Sequence, residues 1–118
     1  MLKKVLLFAL FTSLQTNAMA LNEGCDISGV WQHAGKPAEL FIDTEKGEIS
    51  VHSHELNPNA VGLVVIKNVE AETNGLTWTA KMYHAQKDDF VAVSITADRC
   101  NMLTVRHQSE AILKLIKD

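Results

Sequence analysis

From residue 28 onward the chain is interrupted at nearly regular intervals, and the pieces between interruptions are too short for helices. Segments 28–34, 38–44, 48–54, 62–69, 75–84, 89–97, 102–108 and 111–117 are rich in Val, Ile, Thr or aromatic residues. Between them stand turn formers: Gly35-Lys36-Pro37, Glu45-Lys46-Gly47, Asn57-Pro58, Asn74-Gly75, Lys87-Asp88 and Arg99-Cys100-Asn101. Short strands at even spacing with polar turns specify an all-β meander, either a barrel or a sandwich. There is no segment of helical period of ordinary length, no repeat and no linker.

Alternation indicates which side of each strand faces inward. Leu40 and Ile42 alternate with Glu39 and Asp43, Ile49 and Val51 with Ser50 and His52, and Val91, Val93 and Ile95 with Ala92, Ser94 and Thr96. In the fifth segment Leu76, Trp78, Ala80 and Met82 form the apolar set against Thr77, Thr79 and Lys81. Leu63-Val64-Val65-Ile66 breaks the rule, because four consecutive apolar residues place two side chains on each face. Either another element covers that strand or it presents an apolar patch. A barrel is the more economical architecture, since eight antiparallel strands with short turns can close without free edges, the last segment pairing with the first.

The N-terminus reads as an export signal. Lys3 and Lys4 precede the apolar run Val5 to Phe11, and Ala18-Met19-Ala20 places small residues where a signal peptidase requires them. The expected mature chain is residues 21–118, a single domain, cut after Ala20 and located in the periplasm. It has no transmembrane segment, because the only long apolar run is too short to span a bilayer and leaves with the signal. Asn22-Glu23-Gly24 before Cys25 does not resemble a lipidation box. Losing Lys3 and Lys4 takes the formal charge from −3 to −5, which disfavours nucleic acid and anionic lipid as partners. Cys25 and Cys100 are both in the exported part, and an oxidising compartment favours their pairing. Nothing resembles Cys-x-x-Cys, which removes the usual redox chemistry.

The five histidines are the candidates for site chemistry. His52 and His54, two residues apart on one strand, would have Cα atoms about 6–7 Å apart and could chelate a transition metal if Glu55 or His84 came near. The plainer reading is two solvated residues on a wet face, with His33, His84 and His107 at the surface or rim. Ser50 and Ser53 are poorly placed to use His52 as a base, no nucleophile-elbow motif occurs, and Asp88-Asp89 sits in a turn. The chain therefore reads as a non-enzyme with no cofactor.

Gly29-Val30-Trp31 on the first strand resembles the Gly-x-Trp signature of lipocalin-like barrels. That resemblance implies that Gly29 and Trp31 form the barrel floor and that a basic residue near the last strand packs over the Trp ring. More widely, the chain resembles the bacterial exported proteins of domain-of-unknown-function family 2147. The resemblance runs through Ile27-Ser28-Gly29-Val30-Trp31, Gly35-Lys36, Asn57-Pro58, Gly62 to Ile66, Trp78, Lys81-Met82-Tyr83, Phe90 and Leu103-Thr104-Val105. Ala80, His84 and Ala85 stand where the family has Gly, Asp and Pro. Its closing Trp-x-Arg is Leu115-Ile116-Lys117 here, leaving Lys114, Lys117 or Arg106 as the stacking base. The family contributes a fold and a compartment but no activity.

These readings leave three functional expectations. The first is a binding module for a small apolar or amphipathic ligand, lined by Leu76, Trp78, Ala80 and Met82, with the small Ala80 leaving space among larger side chains. The second is an interaction module for an envelope protein, of chaperone or inhibitor type, using Leu63 to Ile66. The third is metal binding by His52 and His54.

Overall fold

The computed structural model describes residues 24–117, and the expected signal peptide, with its cleavage site after Ala20, lies outside the described residues. Eight strands run in succession: β1 (Gly29–His33), β2 (Ala38–Asp43), β3 (Glu48–His54), β4 (Val64–Ala71), β5 (Thr77–His84), β6 (Asp89–Asp98), β7 (Met102–His107) and β8 (Glu110–Lys117). Each pairs antiparallel with the next, and β8 returns to β1, so the sheet closes into an eight-stranded barrel. A single 3-10 turn, Pro58–Ala60, interrupts the loop between β3 and β4, where Pro58 starts the turn. Among the described residues no helix is long and apolar enough to cross a membrane.

The meander sorts the loops onto two ends. The loops after β1, β3, β5 and β7 lie at one end, and those after β2, β4 and β6 lie at the other, with residues 24–28 and Lys117. This second end is closed. Cys25 and Cys100 form a disulfide there, joining the segment before β1 to the turn between β6 and β7. The Cys25 N–H also donates to the Gly75 carbonyl at 3.0 Å. A Cβ on either Gly24 or Gly75 would collide with the backbone of the other, so the leading segment lies directly against the β4–β5 turn only because both are glycine.

Packing tightens toward that end. Ile27, Trp31, Ile42, Ile49, Ile95, Leu103 and Leu115 are essentially inaccessible, and the Trp31 indole N–H donates to the Ile27 carbonyl at 2.9 Å. Lys117 pairs with Trp31 across the β8–β1 closure. Of the three candidate bases, Lys117 is the one whose ammonium stands over the Trp31 ring, 5.1 Å from its centroid. Nearer the other end Val51, Val93 and Leu113 are still buried, and Met82, Val65 and Val91 are only half-buried against the cluster. The barrel is solid at its base and opens at its mouth.

Two bulges re-aim side chains that simple alternation would place elsewhere. Between β2 and β3 the register passes from Glu39↔Ser53 to Leu40↔Val51, leaving His52 as the extra residue. Between β3 and β4 it passes from Ile49↔Ile66 to Ser50↔Val64, leaving Val65 extra. An extra residue reverses the parity of the strand beyond it. His54, opposite buried Ala38, consequently joins the inner set, and Val65 packs against the core. Leu63 and Val64 remain outside and exposed.

Candidate functional site

The mouth holds an apolar cavity of about 160 Å³. Its wall is Ala38, Leu40, Val51, Val65, Met82 and Leu113, and its rim is His33, Lys36 and His54. The rim follows from strand parity and the first bulge. His33 is two residues beyond Trp31 on β1 and so shares its inward direction, and His54 is turned in by the bulge at His52. Lys36 comes from the short loop that carries the chain from β1 to β2.

Hydrogen bonds fix the tautomers of both rim histidines. The Gly35 N–H donates to His33 Nδ1 at 2.9 Å, and the Asn57 N–H donates to His54 Nδ1 at 3.1 Å. A backbone amide can only donate, so each Nδ1 is an acceptor and each neutral ring carries its proton on Nε2. Burial, with Lys36 and His54 nearby, holds the His33 imidazole below its ordinary pKa of 6.5. Its Nε2–H is therefore a neutral donor at neutral pH.

His84 and His107 end β5 and β7 at the same mouth, with ring centroids 6.2 Å apart in an edge-to-face arrangement. His107 has the opposite tautomer, because its Nδ1 is 3.0 Å from the Ala92 carbonyl oxygen and must donate. His84 Nδ1 is buried without a partner among the described residues.

The residues expected to line a ligand site separate. Met82 lines the mouth cavity. Trp78 is buried lower in the filled part of the barrel. Ala80 is buried too, but the space beside it opens outward: with Asn68, Glu70, Thr79, Lys81, Ala92 and Val93 it borders an outer depression of about 350 Å³. That opening arises where the β4–β5 register shifts between Lys67 and Glu70 and Asn68 adopts φ 56°. Leu76 is a correction. It precedes β5, is 42% exposed, and its N–H is held by the Asn74 side chain in the turn, so the strand's parity does not extend to it.

The paired-imidazole metal site is also corrected. The bulge sends His54 to the mouth and leaves His52 exposed on the outer face beside Phe41, with ring centroids 6.5 Å apart. Moreover, a histidine that binds metal through Nε2 ordinarily donates its Nδ1–H to a partner, whereas His54 Nδ1 accepts. Among the described residues no three His, Cys, Asp or Glu side chains gather as metal ligands would.

Outside the barrel, Leu63, Val64, Val65, Tyr83 and Phe90 border a second apolar depression of about 340 Å³. The Lys67 ammonium stands 4.1 Å from the centroid of the Phe90 ring. The Tyr83 hydroxyl donates to Asp88 at 2.7 Å, which raises its pKa above 10.0.

Gly29 and Trp31 occupy the closed end, where a Cβ on Gly29 would meet the Lys117 ammonium at 3.0 Å. Sequence reasoning placed His33 at the surface or rim, although its parity with Trp31 was readable, and it missed Lys36, His54 and Val65 as mouth residues. The two bulges that direct His54 and Val65 carry no Gly or Pro to announce them.

No protein-family model, no curated protein and no solved structure matches this chain.

Proposed function

We propose that this protein is an exported, periplasmic, non-enzymatic binding module that holds a small apolar or amphipathic ligand in the mouth of its barrel, in keeping with its resemblance to the exported family 2147. The observation that carries the reading is the gradient along the barrel axis. The base is filled by Trp31 and its neighbours, and the mouth keeps an apolar space bounded by Met82, Val65 and Leu113. Concave, mostly apolar sites with a few polar groups at the edge are how proteins bind small molecules. The Cys25–Cys100 disulfide is compatible with export to an oxidising compartment.

The test is titration with environment-sensitive apolar fluorophores, comparing the protein with Ala38→Leu. Ala38 borders the cavity, so a larger side chain there fills the mouth. Saturable binding that Ala38→Leu abolishes, with its unfolding transition kept, supports the reading. Equal binding by both proteins removes the mouth as the site.

A second reading rests on the exposed apolar groove of Leu63, Val64, Tyr83 and Phe90, which would suit an envelope protein partner. Val64→Lys should then abolish partner capture and leave small-probe binding intact.

A further inference from the structure

Among the residues that line the mouth cavity three carry hydrogen-bond donors and none is acidic; Glu55, Asp88 and Glu110 belong to the same end of the barrel but not to that lining. Lys36 supplies an ammonium, and His33 and His54 each present an Nε2–H because their Nδ1 atoms accept backbone N–H groups. Below them the wall is wholly apolar. A neutral or cationic head group would leave this set incompletely used, whereas an anionic oxygen can accept from all three.

The cavity's size limits the rest of the ligand. Its volume of about 160 Å³ is close to that of the apolar cavities of ~150 Å³ that accept benzene. A long acyl chain would not fit, because the next layer down, with Ile66, Ile49 and Trp31, is packed without exposure.

We propose that the mouth recognises a carboxylate carried on a single benzene-sized apolar group, the apolar part lying against Leu40, Val51, Val65, Met82 and Leu113 and the carboxylate meeting Lys36, His33 and His54. This rests on the mouth being the binding site and adds the charge and size of the molecule that enters it. Lys36 contributes the full positive charge of the rim. The two imidazoles contribute direction, since their backbone bonds hold the rings in place before a ligand arrives. Burial first, then Lys36 and His54 nearby, hold the His33 pKa below 6.5, so this ring meets the ligand as a neutral donor whose Nδ1 is already occupied by the Gly35 N–H. Charge-assisted hydrogen bonds are roughly twice as strong as neutral ones, so the anion should be clearly preferred to its uncharged isostere.

The experiment uses three matched probes, phenylacetate, phenylacetamide and phenethylamine, titrated against the protein while the Met82 methyl signal is followed by NMR. Phenylacetate should bind about tenfold or more tightly than phenylacetamide, and phenethylamine should bind weakest. Lys36→Met, a change at an exposed loop position, should weaken phenylacetate far more than phenylacetamide and so bring the two affinities together. Equal affinity for the acid and the amide, with the Met82 signal shifting for both, would overturn the carboxylate preference and leave an apolar site standing. A phenylacetate affinity unaffected by Lys36→Met would overturn the assignment of the rim. If no probe moves the Met82 signal, the mouth reading itself fails.

Discussion

The Lys117 ammonium stands 5.1 Å from the centre of the Trp31 ring and donates to the Ser28 carbonyl at 3.0 Å. These two contacts join the last strand to the first and to the segment that precedes it. A cation over an indole face and a charged donor to a carbonyl are each stabilising at this half-buried position.

Lys117→Met should therefore destabilise the protein by about 1–3 kcal/mol. Trp31→Ala, which empties an inaccessible site, should cost about 3–5 kcal/mol. Denaturant unfolding of the two single variants and the double variant measures the coupling, which should be clearly non-additive because the side chains touch. Additive losses would mean that the ammonium serves Ser28 alone.

The disulfide joins residues 75 apart in sequence. Closing a loop of that length removes unfolded-chain entropy worth about 4–5 kcal/mol. Cys25→Ser with Cys100→Ser should lower the urea midpoint accordingly, and the parent protein should show no reactive thiol after unfolding without reductant.

The contact between Gly24 and Gly75 tolerates no side chain on either residue. Gly75 also has φ +68°, so Gly75→Ala adds backbone strain to the collision. Its thermal transition should fall by several degrees, corresponding to about 1–3 kcal/mol. Gly35→Ala, whose Cβ would meet nothing closer than 3.6 Å, should leave the transition nearly unchanged.

His33 sets a pH dependence of definite sign. Its folded pKa lies below 6.5, so as pH falls the unfolded chain takes up this proton first. Its contribution to stability is complete above pH 6.5 and is lost as pH falls through the lower, folded value. Urea unfolding between neutral and mildly acidic pH should show a shallower decline for His33→Gln than for the parent. Burial is the main cause of the low His33 value, and Lys36 and His54, which add to it, are present in both proteins.

Much of the barrel was legible because its signals are local. The period-two runs at Leu40-Ile42, Ile49-Val51 and Val91-Val93-Ile95, and turns such as Asn74-Gly75 and Arg99-Cys100, delimit the strands to within a few residues. Arg99 and Cys100 both have positive φ and with Asn101 make the three-residue turn between Asp98 and Met102, whereas Gln108 and Ser109, also at positive φ, make the two-residue hairpin turn between His107 and Glu110. The candidate site was less legible because it depends on the irregularities. One extra residue at His52 decides whether His54 faces solvent or the mouth, and that choice is made by pairing with β2, which no residue near His54 announces. Leu76 failed for the complementary reason: alternation holds only while the chain is a strand, and Asn74 has already bent it into a turn.

The meander also constrains how the molecule can be assembled in time. Seven of its ladders join strands that are neighbours in the chain, and only β1 with β8 joins distant parts of it, where Ser28 and Lys117 meet across 89 residues. Hairpins can form one after another with little loop-closure entropy each, but the ring exists only after its two ends meet. Folding should accordingly have one late, slow event, the rolling-up of a finished ribbon. Residues that act only across the seam, Lys117 foremost, should change the unfolding rate far more than the folding rate.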